Sequence, residues 1–99
     1  MSKLPPQALI AVNPELMTAS LGVEEIVILH LKTGRYYTLS SVGAEVWKLL
    51  LAPRRMSEIV DAIVTAYDVE TAQCEADIRM LLDDMAREQL IAMQREDLL

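Results

Sequence analysis

The sequence predicts an α+β domain in which a three-stranded antiparallel sheet packs against three helices. Residues 26–47 carry much of that expectation. They read IVILHLKTGRYYTLSSVGAEVW: an apolar strand, a Thr-Gly turn, an aromatic strand, a helix start and a tryptophan. Further along, apolar residues recur at helical spacing in three successive segments. A short apolar run at residues 8–12, closed by Asn13-Pro14, supplies the remaining strand.

The elements follow in order. Residues 1–7 form a loose arm, because Pro5-Pro6 disfavours helix and lacks two N–H donors. Residues 8–12 are the first strand, and 15–22 are expected as a connection ending at Gly22. Residues 23–31 are the clearest strand, rich in Ile and Val. Apolar side chains occur on both of its faces, which predicts partial cover on both sides. Lys32-Thr33-Gly34-Arg35 is a hairpin turn, with Gly34 free to take positive φ. On the return strand, Tyr37 and Leu39 share one face while Tyr36 and Thr38 share the other.

Ser40 or Ser41 is placed to cap the first helix, on which Val42, Val46, Leu49 and Leu50 recur beside Trp47. Pro53 ends it. Arg54-Arg55 then sits where positive charge meets the negative end of the helix dipole. Ser57 is expected to cap the second helix, striped by Ile59, Val60, Ile63, Val64 and Tyr67. Thr71 is expected to cap the third, with Cys74, Ile78, Leu81, Leu82 and Met85 on one face, running to about residue 89. Residues 90–93 are a strand or a helix remnant. The folded domain is expected over residues 8–93, with a tail over 94–99.

At 99 residues, one modest core is available. The four aromatics, one Trp and three Tyr, leave most of that core to aliphatic side chains. No apolar run approaches the roughly 18 residues of a membrane span, and the start is not a signal peptide. A single Cys makes no internal disulfide, so a reducing cytoplasm is the simplest setting. The net charge of −6 is uneven. Residues 1–56 hold six Lys/Arg and four Asp/Glu, and residues 57–99 hold three Arg and eleven Asp/Glu. The acidic half repels phosphate and favours a basic partner, or simply forms a solvated face.

No catalytic set is visible. His30 lies within a strand without Cys or acid at ligand spacing, so it reads as a satisfied or half-exposed side chain rather than a metal ligand. Cys74 reads as a small buried hydrophobe. Asp83 and Asp84 lie about 100° apart on a helix and do not converge. No Gly-rich phosphate loop occurs, and no cofactor is expected. Three helices and a hairpin also describe a DNA-binding winged helix. Its recognition helix would open with Glu70, Thr71, Gln73, Glu75 and Asp77, which is the wrong sign for phosphate. Neither nucleic acid nor membrane is an expected partner.

The remaining feature is a sheet edge. An edge strand carries unpaired N–H and C=O groups that accept a partner strand. If the side of the third helix bearing Asp77, Leu81, Asp84 and Glu88 faces the edge of strand 35–40, the two make a groove with an acidic rim. The residues expected to hold an extended peptide are Arg35, Tyr36, Tyr37, Thr38 and Leu39 from the strand, and Asp77, Met80, Leu81 and Asp84 from the helix. Leu81 serves equally as core, and Met80 leans to the groove. Trp47, Ile59, Ile63, Ile78 and Leu82 are assigned to the core. A different reading is an interaction domain that pairs with itself through the same edge.

Several pieces in order resemble the PqqD family, also called RiPP recognition elements. They are Thr33-Gly34-Arg35-Tyr36-Tyr37, Leu39-Ser40, Gly43-Ala44, Val46-Trp47, Met56-Ser57-Glu58-Ile59-Val60, Tyr67-Asp68-Val69, Asp77-Ile78, Leu81-Leu82 and Leu90-Ile91. Members often have Asn where Ser40 stands and usually Gly where Gln89 stands. The resemblance implies a winged helix-turn-helix-like fold without enzymatic activity. It implies that the leader of a ribosomally made precursor peptide adds as a strand beside residues 35–40, against the third helix. The implied partners are that leader and separate enzymes, a leader peptidase and a cyclase in the favoured lasso-peptide setting. The alternative is the PqqD role beside a radical enzyme in cofactor synthesis.

Overall fold

The computed structural model of the protein describes residues 7–22 and 24–94. The expected arm and tail fall almost wholly outside these residues, as does Val23. Six strands and three helices run in the order β1 (Leu9–Val12), β2 (Leu16–Ser20), β3 (Glu25–His30), β4 (Tyr36–Ser40), α1 (Val42–Leu49), β5 (Arg54–Arg55), α2 (Met56–Tyr67), α3 (Thr71–Arg87) and β6 (Ile91–Gln94). The α+β class holds, but the strands divide between two three-stranded antiparallel sheets, ordered β2-β3-β4 and β5-β1-β6.

The hairpin forms as its residues dictate. Gly34 takes φ 76°, its N–H donates to the His30 carbonyl, and the His30 N–H donates to the Arg35 carbonyl. β4 pairs with β3 from Glu25↔Ser40 to Leu29↔Tyr36. The expected connection at 15–22 is instead β2, paired with β3 from Leu16↔His30 to Ser20↔Ile26. Its Leu-Met-Thr-Ala-Ser sequence has little strand signal of its own, and pairing with an apolar neighbour supplies the order. β1 does not join this sheet. It pairs with β6 through Val12↔Ile91 and with β5 through Ile10↔Arg54. The final apolar piece is therefore a strand.

The helices follow their apolar stripes, but the caps differ from expectation. Ser41 stands at the α1 N-cap in a left-handed φ of 52° without a side-chain cap bond. α2 begins one residue before Ser57, and the Glu58 carboxylate accepts the Arg55 N–H at 2.8 Å. Glu70, not Thr71, is the α3 N-cap, and Gln89 turns the chain at φ 62°, where a glycine would be unstrained. Arg54 does meet the end of α1, where its Nε donates to the Leu49 carbonyl at 2.7 Å.

The core joins Ile10, Ile26 and Ile28 of the sheets to Trp47, Ile59, Ile63, Ile78 and Leu82 of the helices, all buried. Each such aliphatic side chain contributes about 1.5–3 kcal/mol by leaving water. His30 is a correction. It is fully buried, and neither ring nitrogen has a hydrogen-bond partner among the described residues. The β3 alternation puts Ile26, Ile28 and His30 in one row facing the helices. The helices cover that face. On the other side Val27 and Leu29 are half-buried, Leu29 lying between Met17 and Tyr36, which are 59% and 72% exposed.

Candidate peptide-binding groove

The hydrogen-bond register decides which backbone groups on β4 are free. His30 pairs with Arg35 by a ladder bond, and the Ser41 N–H donates to Glu24. Antiparallel ladders alternate, so Arg35, Tyr37 and Leu39 turn their N–H and C=O groups toward β3. Tyr36, Thr38 and Ser40 turn theirs outward, along an edge that no described strand covers. The five strand residues expected from sequence thus fall into two sets. Ser40, outside the expected peptide-contact set, belongs with the outward one.

The C-terminal end of α3 is tied to this strand. Glu88 Oε1 accepts the Tyr37 hydroxyl at 2.8 Å and meets Arg35 Nη1 at 3.4 Å. The hydrogen bond to Glu88 is the largest cause that pushes the Tyr37 phenol above its ordinary value, followed by burial and the Glu88 charge, while Arg35 opposes them. At the other end, where β4 turns into α1, lies a hollow of about 410 Å³. Val42, Ile63, Tyr67, Val69, Cys74 and Ile78 make its apolar wall, and Glu70, Gln73 and Asp77 its polar part. Burial pushes the Cys74 thiol up, with the Asp77 carboxylate adding to it. Both Tyr67 and Val69 are partly exposed, so the hollow is open to a ligand.

The helix residues separate likewise. Asp77 lines the hollow and accepts the Gln73 amide at 2.9 Å. Asp84 is exposed and pairs with Arg87 at 2.9 Å. Leu81 is half-buried and packs against the core. Met80 is 67% exposed and lines neither end of the groove. Glu88 was placed on the groove side of the third helix but not among the expected contacts, and Val42, Tyr67 and Val69 were not expected there at all. Only the register and the packing of distant segments reveal them. Among the described residues no group of His, Cys, Asp and Glu is arranged to hold a metal ion.

The profile of coenzyme PQQ synthesis protein D (PqqD) matches residues 25–91. The chain belongs to the PqqD family. Among solved structures it is similar to TbiB1 in complex with the TbiA(beta) leader peptide, at 35% identity and a TM-score of 0.79, covering 87% of this chain and 99% of that one. It shares the fold of a lasso peptide synthetase B1 complexed with its leader peptide, at 22% identity and TM-score 0.73, over 84% of this chain and 96% of that one. The same holds for the PqqD part of Methylobacterium extorquens PqqCD, a stand-alone RiPP recognition element, at 21% identity and TM-score 0.74, over 92% of this chain and 96% of that one. Among curated proteins none matches the chain.

Proposed function

We propose that this protein is a non-enzymatic adaptor that binds the leader of a ribosomally made precursor peptide and presents it to separate enzymes. The observation that carries this reading is the free edge of β4 beside α3. Tyr36, Thr38 and Ser40 offer backbone pairs to an added strand, and the hollow at residues 42, 67, 69, 74 and 78 offers an apolar anchor site. Backbone pairing is tolerant of sequence, so that hollow supplies the selectivity. Arg35, Tyr37 and Leu39 build the strand, Leu81 forms the wall, and Asp77 and Asp84 give the rim its charge. Met80 has the weakest geometric support of the expected contacts.

The 35% identity to a protein solved with a leader peptide supports this reading, with lasso-peptide maturation as the setting we favour and the cofactor pathway in the family's name as the alternative. The work would be cytoplasmic. DNA binding is disfavoured, because α3 presents Asp77, Asp84 and Glu88 along one side. The enzymes, a leader peptidase and a cyclase, need a surface of their own. The outer face of the β2-β3-β4 sheet fits that need. Met17, Leu29 and Tyr36 form one row across it and Ala19, Val27 and Thr38 the next, without a charge among them. Such a patch marks an interaction site.

The test is a titration of ¹⁵N-labelled protein with the leader of the precursor encoded beside it, followed by addition of the leader peptidase. The leader is expected to shift the amides of Tyr36, Thr38, Ser40 and the 77–84 turns. The peptidase is then expected to broaden Met17, Val27 and Leu29. Absence of shifts at saturating leader would overturn the adaptor reading. Broadening elsewhere would move the enzyme to another surface.

A further inference from the structure

Glu88 does more at the hairpin end of β4 than tie the strand to α3. It lines an open hollow of about 600 Å³ together with Gly34, Arg35, Tyr36 and Tyr37. The Tyr37 hydroxyl donates to its Oε1 at 2.8 Å and so fixes where the carboxylate lies. Arg35 Nη1 meets the same oxygen at 3.4 Å, beyond the roughly 2.7–2.9 Å of a strong charge-assisted bond. The Arg35 side chain is 70% exposed and that of Glu88 39%. An ion pair this loose and this wet holds little. Glu88 is therefore an oriented carboxylate with a weakly held counter-ion.

We propose that Glu88 is a specificity-determining residue for the leader, selecting Lys or Arg at the position that faces Tyr37. The inference rests on the leader-binding reading and names what that site prefers. Strand alternation puts Tyr37 and Leu39 on the helix-facing side of β4, and Arg35 reaches Glu88 from that side. A strand added to the β4 edge carries the same alternation, so its residue opposite Tyr37 points the same way. A cation there takes the place of Arg35 on Glu88, with the Tyr37 ring as its cross-strand neighbour.

Charge decides for a cation over an acid. Asp84 lies one turn before Glu88 on the same side of the helix, and Asp77 two turns before Asp84. Arg87 is engaged with Asp84 at 2.9 Å, which leaves this side negative. The register also fixes a spacing. The apolar hollow at Val42 lies beyond Leu39 on the helix-facing side. Side chains of a strand share a face at every second residue. The leader's cation and its apolar anchor are thus an even number of residues apart, about two or four.

Fluorescence anisotropy at low salt tests it, with the full chain and labelled copies of the leader encoded beside it. The copies carry Lys, Gln or Glu at each position in turn. At one position Lys is expected to bind about three- to fivefold more tightly than Gln, and Glu more weakly than either. Glu88→Gln keeps an acceptor for the Tyr37 hydroxyl and should abolish that preference, and Glu88→Lys should turn it toward Glu. Arg35→Gln removes the internal competitor and should raise affinity for the Lys leader about twofold. A purely structural tie would instead make Arg35→Gln and Glu88→Gln lower the affinity for every leader alike. That result overturns the proposal. So does a Lys preference that survives Glu88→Gln, or the lack of any position that prefers Lys. Failure of every leader to bind the wild-type chain would overturn the adaptor reading itself and this inference with it.

Discussion

The two edges of the β2-β3-β4 sheet offer the same backbone chemistry in different surroundings. Tyr36, Thr38 and Ser40 turn outward on β4, and Leu16, Thr18 and Ser20 on β2, three donors and three acceptors on each side. Beside β4 stands α3, tied in by Glu88 and ending in an apolar hollow. Along the outer edge of β2 no described strand pairs, and its side chains are largely exposed. An open ladder is therefore a generic acceptor of strands. What lies next to it decides whether it has the side-chain contacts to select a particular peptide.

The largest expected effect comes from proline, which removes one N–H at a chosen place. Tyr37→Pro or Leu39→Pro takes a donor from the β3 ladder and should destabilise the fold by about 1–3 kcal/mol, since a sheltered carbonyl is left unpaired. Tyr36→Pro or Thr38→Pro should keep the thermal midpoint and weaken leader binding by about tenfold, the worth of roughly one good hydrogen bond. Thr18→Pro on the other edge should leave leader affinity unchanged. Calorimetric titration and thermal melts separate these outcomes. Equal loss of affinity from both edges would end the distinction between them.

Charge should act less strongly and on one edge only. Asp77→Lys combined with Asp84→Lys is expected to weaken binding of a basic leader several-fold at low salt and hardly at all at high salt. The thermal midpoint should barely move, because an exposed pair such as Asp84–Arg87 contributes about 0.3–0.5 kcal/mol. Glu15→Lys, near β2, is the matched control. An affinity indifferent to the paired reversal would remove both carboxylates from the groove.

The smallest effect concerns the tie between β4 and α3. The Tyr37 phenol is raised above its ordinary 10.0 chiefly by its hydrogen bond to Glu88. A folded value above the unfolded one means that the contribution is complete below about pH 10 and is lost as pH rises through the folded value. Ultraviolet titration should show a phenol ionising above its ordinary value, and Glu88→Ala should bring that phenol down. Identical wild-type and variant curves would show that the tie does not hold in solution.

Much of this molecule is legible locally. The Thr33-Gly34 turn and its flanking alternation put Tyr37 and Leu39 on one face and Tyr36 and Thr38 on the other, and the structure half-buries the first pair and exposes the second. The stripes of α2 and α3 put Ile59, Ile63, Ile78 and Leu82 in the core. Cys74 is buried, as its place on the apolar face implies. β2 was not legible, because Thr18, Ala19 and Ser20 carry no pattern and are ordered by pairing with β3. Nor was the burial of His30, since a strand position fixes a face but not what covers it. The parity of free groups on β4 could have been worked out from the hairpin turn alone, given a ladder without bulges.

Local sequence determined the hairpin, the three helices and the side-chain alternation, because each depends on dihedral preferences and a repeat of two or 3.6 residues. The tertiary structure decided which edge acquired a wall. Glu88 meets Tyr37 51 residues away, and the hollow gathers residues from α1, α2 and α3. Such meetings depend on how the helices pack over the sheet, which no local repeat encodes. The grouping of β1 with β6 is of the same kind, since either sheet could satisfy an apolar strand and only the path of the whole chain chose between them.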